Sequence, residues 1–153
     1  MKKGLLYILV LICSATLFSG CLKHGTERTI DPSMTATMGA YTFNANYIKP
    51  ATIKPQLADS STTLVITGTD NVTGNIIELR VYKYKDATGT FSIIDGKSAA
   101  SLTSAGVTSQ AGSGLVAIKD VSSNIVTGYF SFVTLSGVTI TNGTFVVGKP
   151  WVY

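Results

Sequence analysis

Few of the side chains that ordinarily carry chemistry occur here in spacings that would let them work. A serine or cysteine nucleophile needs a base beside it. This chain of 153 residues holds one histidine, His24, and two cysteines, Cys13 and Cys21. A single histidine also rules out a multi-histidine metal site. Glycosidase chemistry needs two carboxylates held roughly 5–10 Å apart. The aspartates Asp59, Asp70, Asp86, Asp95 and Asp120 are instead scattered over predicted turns, where their side chains bond nearby backbone N–H groups. Glu78 and Arg80 share one strand face and read as a surface ion pair. No glycine-rich phosphate loop opens a helix, and no D-x-[DN]-x-[DN]-G calcium loop is present. Asn71-Val72-Thr73 and Asn142-Gly143-Thr144 fit a glycosylation acceptor pattern and read as turns. No catalytic residue, metal ligand or cofactor is assigned from this inventory.

One cluster is suited to binding. On the strand that begins near residue 76, Arg80, Tyr82 and Tyr84 alternate with Ile77, Leu79 and Val81, so the tyrosines are expected outside the core. Lys83 and Lys85 continue the core-facing parity, which implies that the strand passes the rim of the sheet there. Two tyrosines beside an arginine offer apolar area with polar tips. That suits a sugar ring or a partner protein.

The other reactive position is Cys21. Lys2 and Lys3 precede the apolar run 5–12, and Ser14, Ala15 and Thr16 follow it. That is the order of a secretory signal, and the run is too short to span a bilayer comfortably. Leu17-Phe18-Ser19-Gly20-Cys21 resembles the lipobox of bacterial lipoproteins. The resemblance implies cleavage between Gly20 and Cys21, a thioether-linked diacylglycerol on Cys21, and N-acylation of the new terminus. Two or more acyl chains hold a protein firmly at a membrane, where one holds it marginally. Residues 1–20 then form a signal peptide, and 21–33 a lipidated cysteine with a flexible tether. Leu22 follows the cysteine in place of an acidic inner-membrane retention signal, which leans the expected location towards the outer membrane with its face undetermined. Removal of the first cysteine leaves no internal disulfide.

These positions need a scaffold, and the remaining sequence specifies one. The chain is 45% hydrophobic and only 13% charged. Loss of Lys2 and Lys3 lowers its formal net charge from +4 to +2. Without a basic cluster or stripe there is no electrostatic footprint for nucleic acid. From residue 34 the hydrophobic period is two. Met34, Ala36 and Met38, then Tyr41, Phe43 and Ala45, flank Gly39-Ala40 as a first hairpin. Pro50 and Pro55 make 46–61 an edge strand plus loop. Strands are expected over 63–69, 76–84, 90–94, 115–121 and 125–133, with weak edge strands over 98–103 and 107–110. Gly128 marks a bulge or bend. Asn142-Gly143 is a hairpin signal, but its flanks are short, which favours one strand with a glycine kink.

The blocks Met34-Thr35-Ala36-Thr37-Met38 with Phe43 and Ala45, Thr63-Leu64-Val65-Ile66-Thr67-Gly68-Thr69-Asp70, Ser113-Gly114-Leu115-Val116-Ala117-Ile118, Val126-Thr127-Gly128-Tyr129-Phe130-Ser131-Phe132, and Val138-Thr139-Ile140-Thr141-Asn142-Gly143-Thr144-Phe145 together resemble a family of small Bacteroidetes-type lipoproteins whose domain has no assigned function. The resemblance implies an all-β fold on a lipid anchor and transfers no catalytic residue. The prolines within 46–61 and the tail 149–153 depart from it.

The expectation is therefore a lipoprotein signal peptide followed by an all-β domain over 34–153. That domain is an antiparallel up-and-down β-barrel or flattened β-sandwich of about eight strands. Three functions are open. The first is a non-enzymatic structural or interaction module of the cell envelope, membrane-bound through Cys21 and meeting a protein or glycan. The second is a lipocalin-like binder of a small lipid or sugar. The third and most remote is an enzyme. Large residues expected to point inward, Phe91, Phe130, Phe132 and Phe145, favour a filled barrel and thus the first.

Overall fold

A computed structural model describes residues 31–55 and 62–150. Gly20, Cys21 and the signal segment, most of the tether, and Trp151 and Tyr153 lie outside the described residues. Every regular element described is a strand, as the period of two predicts. In chain order these are β1 (Ser33–Met38), β2 (Tyr41–Asn44), β3 (Tyr47–Pro55), β4 (Thr62–Asp70), β5 (Asn75–Tyr82), β6 (Gly89–Ser92), β7 (Ser98–Ser104), β8 (Val107–Val121), β9 (Ile125–Thr134) and β10 (Thr139–Gly148).

All pairings are antiparallel, and the hydrogen-bonded order is β2-β1-β10-β9-β8-β7-β5-β4-β3, with β6 also on β8. The two ends of this path, β2 and β3, are separated in the chain only by Ala45 and Asn46. They form one bent strand. Its first half pairs with β1, ending at the bond from the Ala45 N–H to the Met34 carbonyl; its second half pairs with β4. The sheet thus curls round until it meets itself. Strands β6 and β7 are likewise one interrupted stave along β8. The excursion 93–97 between them is closed by bonds from Gly96 N–H to the Ile93 carbonyl and from Lys97 N–H to the Ser92 carbonyl. Merging these two pairs leaves eight staves in up-and-down order.

Four connections, at 39–40, 71–74, 105–106 and 135–138, cluster at one end of the barrel, here called the hairpin end. The chain enters at β1 and leaves after β10 at the opposite, terminal end.

Two expectations are corrected. The segment 98–103, expected as a weak edge strand, belongs to β7, an interior strand bonded to both β5 and β8. The segments 107–110 and 115–121, expected apart, belong to the single long strand β8. In both cases small residues keep the alternation but weaken its hydrophobic contrast: Ala100 and Leu102 point inward while Ala99 and Ser101 lie on the other face. Asn142-Gly143 is a kink within one strand, as favoured. Asn142 takes φ 51°, and the register of β10 shifts against both neighbours there.

The inner face is filled. Phe43, Phe130, Phe132 and Phe145 are fully buried with Met34, Leu64, Ile66, Ile77, Leu79 and Ile140. Phe130 and Phe132 stack with ring centroids 6.2 Å apart. Phe91 packs against this cluster from a half-buried position. Two glycines make room for the rings. A Cβ on Gly128 would collide with the Ala117 carbonyl and the Phe145 ring; one on Gly143 would lie 2.5 Å from the Phe130 carbonyl oxygen and 2.6 Å from its ring. Gly128 therefore serves close approach, and the bulge expected of it lies opposite, where β8 shifts register between Ile118 and Asp120.

Gly128→Ala should lower stability by about 2–3 kcal/mol through overpacking, whereas Gly148→Ala, whose Cβ meets nothing within 4 Å, should be near neutral. Urea midpoints of the two variants check this, and equal midpoints would contradict the packing account.

Candidate functional site

Strand β5 carries the residues singled out for binding. Its inward positions Ile77, Leu79 and Val81 are buried, and Glu78, Arg80 and Tyr82 project from the outer face. Arg80 donates from Nε and Nη2 to Glu78 Oε1 at 2.7 and 2.6 Å. Both side chains are substantially exposed, so this pair contributes little to stability. Glu78, Arg80, Tyr82, Ser101 and Gln110 surround a depression of about 50 Å³. That is room for a water or two, far short of the roughly 300 Å³ of a ligand pocket. The surface is a shallow polar platform that would meet a partner by contact rather than enclosure.

Tyr84 does not join it. Expected outside the core, it is only 3% exposed and belongs to the core cluster. The reason is local. Lys83 adopts φ 55°, and the Thr62 carbonyl accepts from the Tyr84 N–H, the residue after the one the β4–β5 register would place there. One extra residue on β5 reverses the alternation. The Thr62 hydroxyl donates to the Tyr84 carbonyl and fastens the bulge. The phenol oxygen is buried without a hydrogen-bond partner among the described residues. Burial pushes its pKa up to about 12, with the charge of Asp86 adding to the rise.

A second cluster gave no signal in the sequence. The Tyr41 hydroxyl donates to Asp70 Oδ2, and Asp70 Oδ1 accepts from the Val72 and Thr73 N–H groups at 3.0 and 3.4 Å. The Asn71 N–H donates to Asn46 Oδ1 at 2.8 Å. The bond from Tyr41 is the chief cause holding the Asp70 carboxyl below its ordinary pKa. The same bond raises Tyr41. These contacts pin the β2–β3 bend to the β4–β5 turn and close the barrel at the hairpin end. They have the character of a latch. Asp70 was visible in the sequence only as a turn residue, because its partner lies 29 positions away.

The hairpin end has a further property. Val72, Leu135 and Val107 project from three separate turns with 87, 78 and 72% of their surface exposed. Among the described residues of these turns and their flanks, Asp70 is the only charged side chain. At the terminal end lie Lys54, Lys83, Lys85, Lys119 and Lys149, with Asp31, Asp86 and Asp120. Lys149 pairs there with Asp86 at 2.7 Å.

The terminal end also holds a groove of about 560 Å³ between β3 and the end of β10. Pro50 and Pro55 signalled that β3 is an edge, but not that a groove would follow. Among the described residues, no group of three or more histidine, cysteine, aspartate or glutamate side chains is placed to hold a metal, and no helix is long and apolar enough to cross a membrane. Comparison with known protein families, with curated proteins and with solved structures finds no match.

Tyr84→Phe deletes a buried hydroxyl that lacks a partner, so stability should be unchanged or rise by up to about 1 kcal/mol. Because the folded pKa is raised, the stability linked to neutral Tyr84 is complete below pH 10 and is lost as pH climbs through about 12. Alkaline denaturation monitored by circular dichroism should be less steep across that window in the variant. Identical curves would remove Tyr84 as the titrating group.

Proposed function

We propose that the protein is a non-enzymatic module of the bacterial cell envelope, anchored in the outer membrane through lipid on Cys21 and acting by surface contact with a protein or glycan. The observation that carries this reading is the polarity of the barrel. Exposed aliphatic side chains stand on uncharged turns at the end opposite chain entry. Aliphatic groups exposed together on one face mark interaction surfaces more often than isolated ones do. Arg80 and Tyr82 on the flank offer a second, polar contact area. The anchor rests on the lipobox resemblance of residues 17–21 and on the likeness to small Bacteroidetes-type lipoproteins.

The alternative of a lipid or sugar held inside the barrel has the phenylalanine packing against it. A barrel of this size either fills with side chains or encloses one small ligand, and this interior is occupied by Phe43, Phe130, Phe132 and Phe145.

Two experiments test the proposal. Cys21→Ser should move the protein from the membrane to the soluble envelope fraction; retention in the membrane would remove the anchor. A photo-crosslinking residue placed in living cells at Leu135 or Val107 should give a discrete adduct, and one placed at Ser123 on the opposite end should not. Leu135→Asp combined with Val107→Asp should abolish the adduct while leaving the circular dichroism spectrum unchanged. Adducts independent of position would sink the assignment of the hairpin end.

A further inference from the structure

The groove beside β3 exists because the barrel is laced at only one end. The ladder between β1 and the bent strand stops at the Ala45–Met34 bond. Beyond it β3 stays with β4 and diverges from β1 and β10. The bulge between Lys49 and Thr52 keeps Ile48, Ala51 and Ile53 on the inward side. These three and Val147 of β10 form an apolar floor, with Lys49 and Lys149 at the rim. The volume, about 560 Å³, falls within the range of small-ligand sites.

The lining selects among occupants. A peptide strand would need a regular row of backbone donors along the free edge of β3. Pro50 and Pro55 each remove one, and the bulge breaks the spacing. A sugar would need aromatic faces or carboxylate and amide groups, and no described lining residue is aromatic, acidic or an amide. What remains is an apolar body with a negative end. Lys149 is already paired with Asp86, whereas Lys49 pairs with no carboxylate among the described residues. No carboxylate lines the groove to oppose an anion. A negative group at the rim gains Coulomb attraction from Lys49 while its chain covers the half-buried Ile48 and Ile53.

We propose that this groove binds a long-chain fatty acid, its hydrocarbon against Ile48 and Ile53 and its carboxylate at Lys49. The groove opens at the edge of the filled barrel interior, over residues packed against its core, and does not depend on the surface role proposed above.

The test uses the chain from residue 21 onward with Cys21→Ser, which retains every strand of the barrel, and palmitate as the probe below its micelle concentration. Calorimetry should give saturable binding of one palmitate per chain. Lys49→Glu should weaken it at least tenfold, and Thr52→Trp, at an exposed position on the groove, should block it. Hexadecyltrimethylammonium, with a tail of similar length and a positive head, should bind at least tenfold more weakly than palmitate. All variants should keep the parent circular dichroism spectrum and urea midpoint. Absence of saturable binding, equal affinity for the two amphiphiles, or indifference to both substitutions would overturn the proposal. So would binding that emerges only after residues 151–153 are removed, since the groove would then belong to the tail of the chain itself.

Discussion

An eight-stave barrel has a fixed interior, and four phenylalanine rings claim much of it. Interiors pack like organic crystals, so rings of that size fit only where the facing backbone gives way. Gly128 lies under Phe145, and Gly143 lies against Phe130. The φ of 51° at Asn142 and the register shift beside it let β10 bring Gly143 to that contact without ending the strand. The same crowding explains why the barrel wall is not uniform. Strands β8 and β10 each carry bulges where they meet β9, the strand that contributes Phe130 and Phe132. Bulges and glycines are the geometric means by which a small closed sheet holds large rings.

Closure has its own cost in regularity. A sheet that meets itself needs a strand that belongs to two ladders, and here that strand turns at Ala45 and Asn46. The latch of Tyr41 on Asp70 and the bond from Asn71 to Asn46 hold the turn from outside. Nothing equivalent among the described residues holds β3 against β10 further along, and the seam opens into the groove. At the hairpin end the closing strand is thus tied by side chains as well as backbone, whereas towards the terminal end β3 keeps its backbone ladder to β4 alone.

Much of this architecture was legible from residue order alone. Alternation in 34–45, 63–69, 76–82 and 125–133 specifies both strand and inward face, because a period of two admits one assignment once the apolar set is recognised. Two things were not legible. The Ser-, Ala- and Gly-rich stretch 97–114 alternates by size rather than by polarity, so β7 and the first half of β8 looked marginal although they lie within the sheet wall. Tyr84 takes the face opposite to the one its parity predicts because a single residue, Lys83, enters the left-handed region, and nothing about a lysine announces that. Of the surface cluster, the sequence correctly placed Arg80 and Tyr82 together on the outer face of β5. The latch and the groove depend on pairs of segments brought together only by closure, Tyr41 with Asp70 and β3 with β10. A scan along the chain has no local signal for such pairs.

The distribution of charge bears on how the two ends work. A ten-residue strand such as β10 rises about 33 Å, and the tilt of strands in a barrel shortens its axial span to roughly 25 Å. The Debye length at physiological ionic strength is about 8 Å. The charges of the terminal end therefore lie about three screening lengths from the hairpin end. Asp70 is the one charged side chain among the described residues around Val72, Val107 and Leu135, and the lysines of the other end add no attraction there. The aliphatic side chains themselves gain nothing from electrostatic steering. Contacts made there would form slowly and depend on area buried, so they favour a partner held nearby over one that must be captured from dilute solution. The lipid anchor proposed at Cys21 would supply that proximity.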